Sequence, residues 1–227
     1  RDHYPYRQSD ILELLPDEVI FRYLDDDIYL EIIDKTDNKV ILEIIVNSEY
    51  LFSDEVRMAA IEKFDNQEVL CEYACVLSSI KILRKAIEKI SDERLLQTIV
   101  EKSIKSDAIC LATNKIHSQE ILEEIAKSDL PCNNIKYSIA KLENQNLLED
   151  IALNHKEYCA RSQAVKRLEN QELIARIAHD DSVNEIRMDA IEMIENQDVL
   201  EKLMEDEIVD YVRRLIAKKL ENQKTLS

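Results

Sequence analysis

Residues 169–178 read ENQELIARIA, and altered copies stand at 143–152 (ENQNLLEDIA), 117–126 (HSQEILEEIA) and 65–74 (DNQEVLCEYA). Working outward from these copies, equivalent apolar residues fall at Phe64, Ile90, Ile116, Leu142, Leu168, Ile194 and Leu220, each 26 residues after the one before. One spacing held over so many apolar positions marks a repeat protein. Upstream, Asp10, Asn38 and Asn66 are equivalent but 28 apart, so two repeats carry longer joints. About eight repeats therefore fill nearly the whole chain.

Each repeat divides into two helical pieces. The first begins at a polar pair (Asn66-Gln67, Asn144-Gln145, Asn170-Gln171, Asn196-Gln197; Gln119 alone) and carries apolar residues at i, i+3 and i+4, as at Leu148, Ile151 and Ala152. The second is apolar or small at its first, fifth, sixth and ninth positions, as at Val56, Ala60, Ile61 and Phe64, which is one buried stripe at helical period. Its fifth position is small almost throughout (Ala60, Ala86, Ala112, Ser138, Ala164, Ala190), which lets neighbouring helices approach closely. Asn caps a helix N-terminus with about 1 kcal/mol and also tolerates the left-handed conformation that ends the helix before it. The Asn at each joint is therefore expected to serve both helix ends, with a structural Asn-Gln ladder as the result.

Composition supports this reading. The 227 residues contain no Gly, no Trp and three Pro, where average usage would supply about 16 Gly. Tight hairpins, Rossmann folds and P-loops need glycine and are excluded. Short helices cannot bury their apolar faces alone, so the units must stack. The expected fold is all-α, an α-solenoid of about eight stacked two-helix repeats. A single domain is expected over 9–227, with residues 1–8 as a loose N-terminal arm and Leu12 to Leu24 as the N-terminal cap. Another first helix is expected to begin at Asn222.

Thirty Lys and Arg against 47 Asp and Glu leave a formal charge of -17. That field opposes nucleic acid and anionic membrane surfaces, both of which are held by cationic side chains. The chain has no apolar run of transmembrane length and begins at Arg1 without Met or a signal-peptide core, so a fragment or processed form of a cytoplasmic protein is expected. Five scattered Cys, at 71, 75, 110, 132 and 159, suggest reduced thiols rather than a disulfide framework.

The second helices repeat an apolar residue, Arg, two variable residues and a small or apolar residue, as in VRMAA (56–60), IRMDA (186–190) and VRRLI (212–216), with Asp181 preceding Arg187 and Asp206 preceding Arg213. This resembles the HEAT repeat, in a 26-residue form close to the bacterial variant leucine-rich repeat, over residues 37 to 223. The resemblance implies an Asp-Arg ladder along the solenoid, broken where Leu83, Ile109 and Ile135 replace Arg. It also implies an interaction role, since HEAT-like families are mostly protein-binding scaffolds.

Chemistry-bearing patterns are sparse. No His-Glu dipeptide matches the di-iron hydroxylases of HEAT-like architecture, and an acidic chain without Trp does not match the HEAT-like DNA glycosylases. His117, His155 and His179 sit at joints or helix ends, and a site of His155, His179 and Asp181 would need those joints brought together. Cys71 and Cys75 are helix neighbours without a second pair, and Asp25, Asp26 and Asp27 lack calcium-loop spacing. The expectation is a non-enzyme with no metal and no cofactor.

The eighth position of the second helices is basic in all but one repeat: Lys63, Lys89, Lys115, Lys141, Arg167, Met193, Lys219. A cation there complements its own helix dipole, and the row could also meet acidic groups on a partner. The third, fourth and seventh positions are expected to be exposed. They are less charged in the middle of the chain, which puts Leu111, Tyr137 and Ala140, flanked by Lys115 and Lys141, at the centre of an expected partner-binding surface. The expected function is a protein-interaction scaffold whose partner is another protein, with self-association through the solenoid ends also open. The alternative is an acidic mimic of nucleic acid that inhibits a DNA-binding protein.

Overall fold

The computed structural model describes residues 25–206 and 209–226. The N-terminal arm and its cap lie outside them, as do the side chains of Asp206 and of Asn222 onward. Among the described residues are fifteen helices and no strand. In chain order they are α1 (Asp26–Lys35), α2 (Lys39–Asn47), α3 (Asp54–Glu62), α4 (Gln67–Val76), α5 (Ile80–Lys89), α6 (Glu93–Lys102), α7 (Ser106–Lys115), α8 (Gln119–Lys127), α9 (Cys132–Ile139), α10 (Gln145–Asn154), α11 (Tyr158–Val165), α12 (Gln171–Asp180), α13 (Asn184–Met193), α14 (Gln197–Asp206) and α15 (Asp210–Leu226). None is long and apolar enough to cross a membrane.

The chain divides into two compact units, the first ending at Ala108 and the second starting at Ile109. Within each unit neighbouring helices pack in succession, as in an α-solenoid. First helices pair with the second helices that follow them (α2 with α3, α4 with α5, α10 with α11, α12 with α13). Second helices pack on second helices (α1, α3, α5 in the first unit; α9, α11, α13, α15 in the second). The repeating stripe is the core: Val56, Ile82, Ala108, Ala160, Ile186 and Val212 at the first position are fully buried, and every ninth-position residue is buried too. Leu83, Ile109 and Ile135 join this core where Arg would otherwise stand.

Joints are held by side chains rather than by special backbone. The Asn side chains cap as expected, Asn66 accepting from Glu68 N (2.9 Å) and Val69 N (3.1 Å), and Asn144 and Asn170 from Leu147 N and Leu173 N (3.2 Å each). Their amide nitrogens reach back one repeat, Asn144 donating to Glu123 at 2.9 Å and Asn170 to Glu149 at 3.0 Å. The expected left-handed helix ends are absent, since no described residue has positive φ. The chain leaves its helices through extended residues such as Leu77, Ser103 and His155, which cost no left-handed strain.

Gln, not Asn, bridges consecutive joints. Gln145 Nε2 donates to the Arg167 carbonyl (3.1 Å) while its Oε1 accepts from Glu169 N (3.2 Å). Gln67 bridges Lys89 O and Ser91 N, Gln119 bridges Lys141 O and Glu143 N, and Gln171 bridges Met193 O and Glu195 N in the same way. Each bridge satisfies an acceptor and a donor that the helix break would otherwise orphan.

The Asp-Arg ladder takes a different form from the one the resemblance implies. Arg57, 2% exposed, donates to Val46 O at 3.0 Å, Arg161 to His155 O at 2.9 Å and Arg187 to Asp181 O at 3.0 Å, so these arginines hold the end of their own repeat's first helix. Among the described residues one Arg–Asp ion pair links adjacent repeats, Arg161 to Asp181 at 3.5 Å. The helix break expected at Asn222 is also absent: α15 runs on to Leu226, because Glu, Gln and Lys there are good helix formers.

Gln145→Ala removes both halves of one bridge and should lower stability by about 1 to 2 kcal/mol. Asn146→Ala, at an exposed position on the same helix, should cost under about 0.5 kcal/mol. Urea denaturation of the two variants measures the difference, and equal costs would refute the bridge.

Candidate functional site

The basic row turns inward. Lys63 Nζ donates to Asp34 O at 2.8 Å, and Lys141 Nζ to Thr113 O and Asn114 O at 2.9 Å each and to Ile116 O. Arg167 reaches Leu142 O at 3.2 Å, while Lys89 and Lys219 reach Glu62 O and Glu192 O. Each cation thus caps the carbonyl end of the preceding repeat's second helix, where the dipole is negative. Burial lowers the Lys219 pKa. Lys115, half-buried, is also engaged.

The outer face of the second helices departs from the expectation. The seventh position is exposed throughout, but the fourth is half-buried in every repeat and the third in most. Close approach of neighbouring helices is the reason: Lys85 pairs with Glu62 of the preceding repeat, and Asp189 meets both Ser162 and Lys166, the latter at 3.0 Å. Hydrogen bonding by Lys85 lowers the Glu62 pKa. Leu111 and Tyr137 occupy that fourth position and are half-buried, while Ala140 is exposed. The Lys136 ammonium lies 4.9 Å from the centre of the Tyr137 ring, a cation–π contact. The expected centre is therefore a partly closed seam, with Lys141 committed to backbone carbonyls.

The histidines are not brought together. His155 Nδ1 accepts from Glu157 N at 3.1 Å, His179 lies 2.5 Å from Asp180, and the Asp181 carboxylate accepts from Val183 N at 2.8 Å. No group of His, Cys, Asp and Glu among the described residues could hold a metal ion. A shallow polar groove of about 340 Å³ between the ends of α8 and α10 has its main charges paired, Lys156 with Asp129 at 2.6 Å. That hydrogen bond lowers the Asp129 pKa.

The cysteines need a correction. Cys132 and Cys159 form a disulfide with their Cα atoms 6.3 Å apart, within the usual range. The repeat explains it: their separation of 27 is one repeat plus one residue, which sets them at the starts of the packed helices α9 and α11. Cys71, Cys75 and Cys110 are free. Burial, with Cys75 beside it, pushes the Cys71 thiol up to about 11.

The feature that composition did not reveal is where exposed apolar side chains collect. Among the described residues nine large apolar side chains are exposed, and eight of them lie at the joints between a first helix and its own second helix or at the helix ends beside them. The first unit carries Tyr50 (98% exposed), Leu51, Val76 (65%), Ile80 and Ile104 (94%); the second carries Leu153, Tyr158 and Tyr211. Among the described residues, the opposite joints, occupied by the Asn-Gln ladder, have only Val40 of these nearby. Counting from the first position of the second helix would have located this edge, because joint residues seven to one places upstream mostly lie outside the buried stripe, Phe52 and Leu77 being buried exceptions.

Comparisons with protein-family models, with curated proteins and with solved structures gave no match to this chain.

Lys141→Ala should destabilise the fold by about 1 to 3 kcal/mol with Lys141→Arg restoring part of it, as read by thermal or urea unfolding. An unchanged stability would return Lys141 to the surface. Maleimide labelling of the unreduced, denatured protein should modify three thiols, those of Cys71, Cys75 and Cys110, and all five Cys after reduction. In the folded protein, alkylation of Cys71 should keep accelerating with pH up to about 11, since burial penalises the reactive thiolate. A rate that levels off near pH 8.5 would mean that the site is open to water.

Proposed function

We propose that this protein is a non-catalytic, HEAT-like interaction scaffold that binds another protein along the edge formed by its first-to-second-helix joints. The observation that carries this reading is the gathering of exposed large apolar residues on that edge of each unit, five in the first and three in the second. Aromatic and branched side chains that a fold leaves in water on one edge mark an interaction surface, and each that a partner covers contributes about 1.5 to 3 kcal/mol. Tyr50, Tyr158 and Tyr211 are suited to anchoring, since tyrosine combines apolar area with a hydrogen-bonding tip. The ladder side chains offer a partner little, because their polar groups are already bonded within the protein.

Cross-linked affinity capture from native extract tests it. The wild-type chain should retain a protein partner at 200 mM salt, and Leu153→Ser with Tyr158→Ser should lose it by tenfold or more while melting at the same temperature, both residues being exposed. Capture that survives these changes and their counterparts in the first unit, yet vanishes between about 50 and 200 mM salt, would support the acidic nucleic-acid mimic instead.

A further inference from the structure

One stretch of the first unit reverses the charge balance of the chain. Helix α5, IKILRKAIEK, carries Lys81, Arg84, Lys85 and Lys89 against Glu88 alone, whereas the whole chain has 47 acids to 30 bases. Between α5 and α3 lies a groove of about 360 Å³ lined by Met58, Ile80, Lys81, Arg84, Lys85 and Glu88. Its floor is apolar and its wall is mainly basic. Not all the cations are equally available. Lys85 is engaged by Glu62, and Lys81 has Asp54 at 3.7 Å while remaining 68% exposed. Arg84 is exposed at the outward third position.

The groove opens onto the apolar edge. Ile80, 45% exposed, belongs to both, and Val76 and Ile104 continue the apolar surface beyond it. The joints carrying Val76 and Ile104 are neighbours, because Lys105 Nζ donates to Val76 O at 2.8 Å and also to Leu77 O. Lys102, at the end of α6, adds an exposed cation to this edge.

We propose that the α3–α5 groove receives an acidic segment of the partner protein, its apolar side chains covering Met58 and Ile80 and its carboxylates meeting Arg84 and Lys81. This deepens the scaffold reading and rests on it. Charge complementarity selects the occupant: a basic or neutral segment would leave the Arg84 side of the groove unmatched, and a pure polyanion would leave Met58 and Ile80 in contact with water. Arg provides two parallel donors to a carboxylate, which fixes orientation as well as affinity.

A random dodecapeptide phage library selected on the full chain at 150 mM salt is the probe. Enriched peptides should be net acidic and contain at least one large apolar residue. Their affinity, measured by fluorescence anisotropy, should fall at least tenfold for Arg84→Glu with Lys81→Glu and for Ile80→Ser, with circular dichroism melts confirming that the variants fold. Failure to enrich, enrichment without acidic bias, or equal binding by the charge-reversed variant overturns the proposal. So does polyglutamate binding as tightly as the selected peptides, or self-association of the chain that the same variants abolish. A chain that fails here but keeps its partner through the Tyr158 edge loses the groove alone. Loss of salt-stable capture by the wild type removes the scaffold reading itself.

Discussion

A helix break leaves carbonyls and N–H groups without partners, and a protein built from short helices must solve that problem at every joint. Here the central solution is one amide side chain. The Gln that starts four of the first helices, at 67, 119, 145 and 171, reaches the next joint, donating to a carbonyl and accepting from an N–H that lie 22 and 24 residues downstream. Because one rigid amide meets both groups, it fixes the spacing between joints as well as satisfying them. Insertion or loss of a residue within that interval would misplace one of the two bonds, which gives a physical reason for the regular 26-residue period. Glycine becomes unnecessary, since extended residues end the helices and side chains take the carbonyls that a left-handed glycine cap would have served.

The cations follow from the same constraint. Lys63, Lys89, Lys141, Arg167 and Lys219 each extend to the carbonyl end of the neighbouring repeat's second helix, and Arg57, Arg161 and Arg187 hold the end of the first helix in their own repeat. These eight cations thus lie against backbone dipoles between neighbouring helices. Fewer carboxylates take such a role: Glu123 and Glu149 accept from the Asn144 and Asn170 amides, Asp181 pairs with Arg161, and Asp189 meets Ser162 and Lys166. The acidic excess is consequently left facing water, where it favours solubility and repels other copies of the chain.

The fold was readable because a period of 26 survives any single irregularity, and because the fifth and ninth positions of the second helix are constrained by packing alone. The direction of long polar side chains was not. Lys141 and Gln145 stand next to joints, and nothing in their spacing distinguishes a side chain that points to solvent from one that crosses to the neighbouring repeat. The same limit misplaced Leu111 and Tyr137. A helical wheel puts the fourth position outside, but it treats a helix as isolated, and in the folded repeats that position is half-buried. The Cys132–Cys159 pair was missed for the opposite reason: composition argued against a disulfide, although their one-repeat separation already placed them side by side.

These facts separate two edges within each unit by what holds their joints. On the edge of the Asn-Gln joints the side chains of Gln67, Gln119, Gln145 and Gln171 are bonded within the protein, so sequence there answers to stability, and a substitution shows up as lost rungs. On the other edge the joints are closed mainly by backbone contacts, by arginine and by Lys105, leaving the remaining side chains free to vary without loosening the core. Exposed Tyr50, Val76, Ile104 and Tyr158 sit in that permissive region, where their apolar area does nothing for the fold. A tyrosine or isoleucine held in water is unfavourable for solubility and gains nothing from its neighbours. These residues stand at positions the repeat does not dictate, and under the proposed scaffold reading contact with another protein covers them.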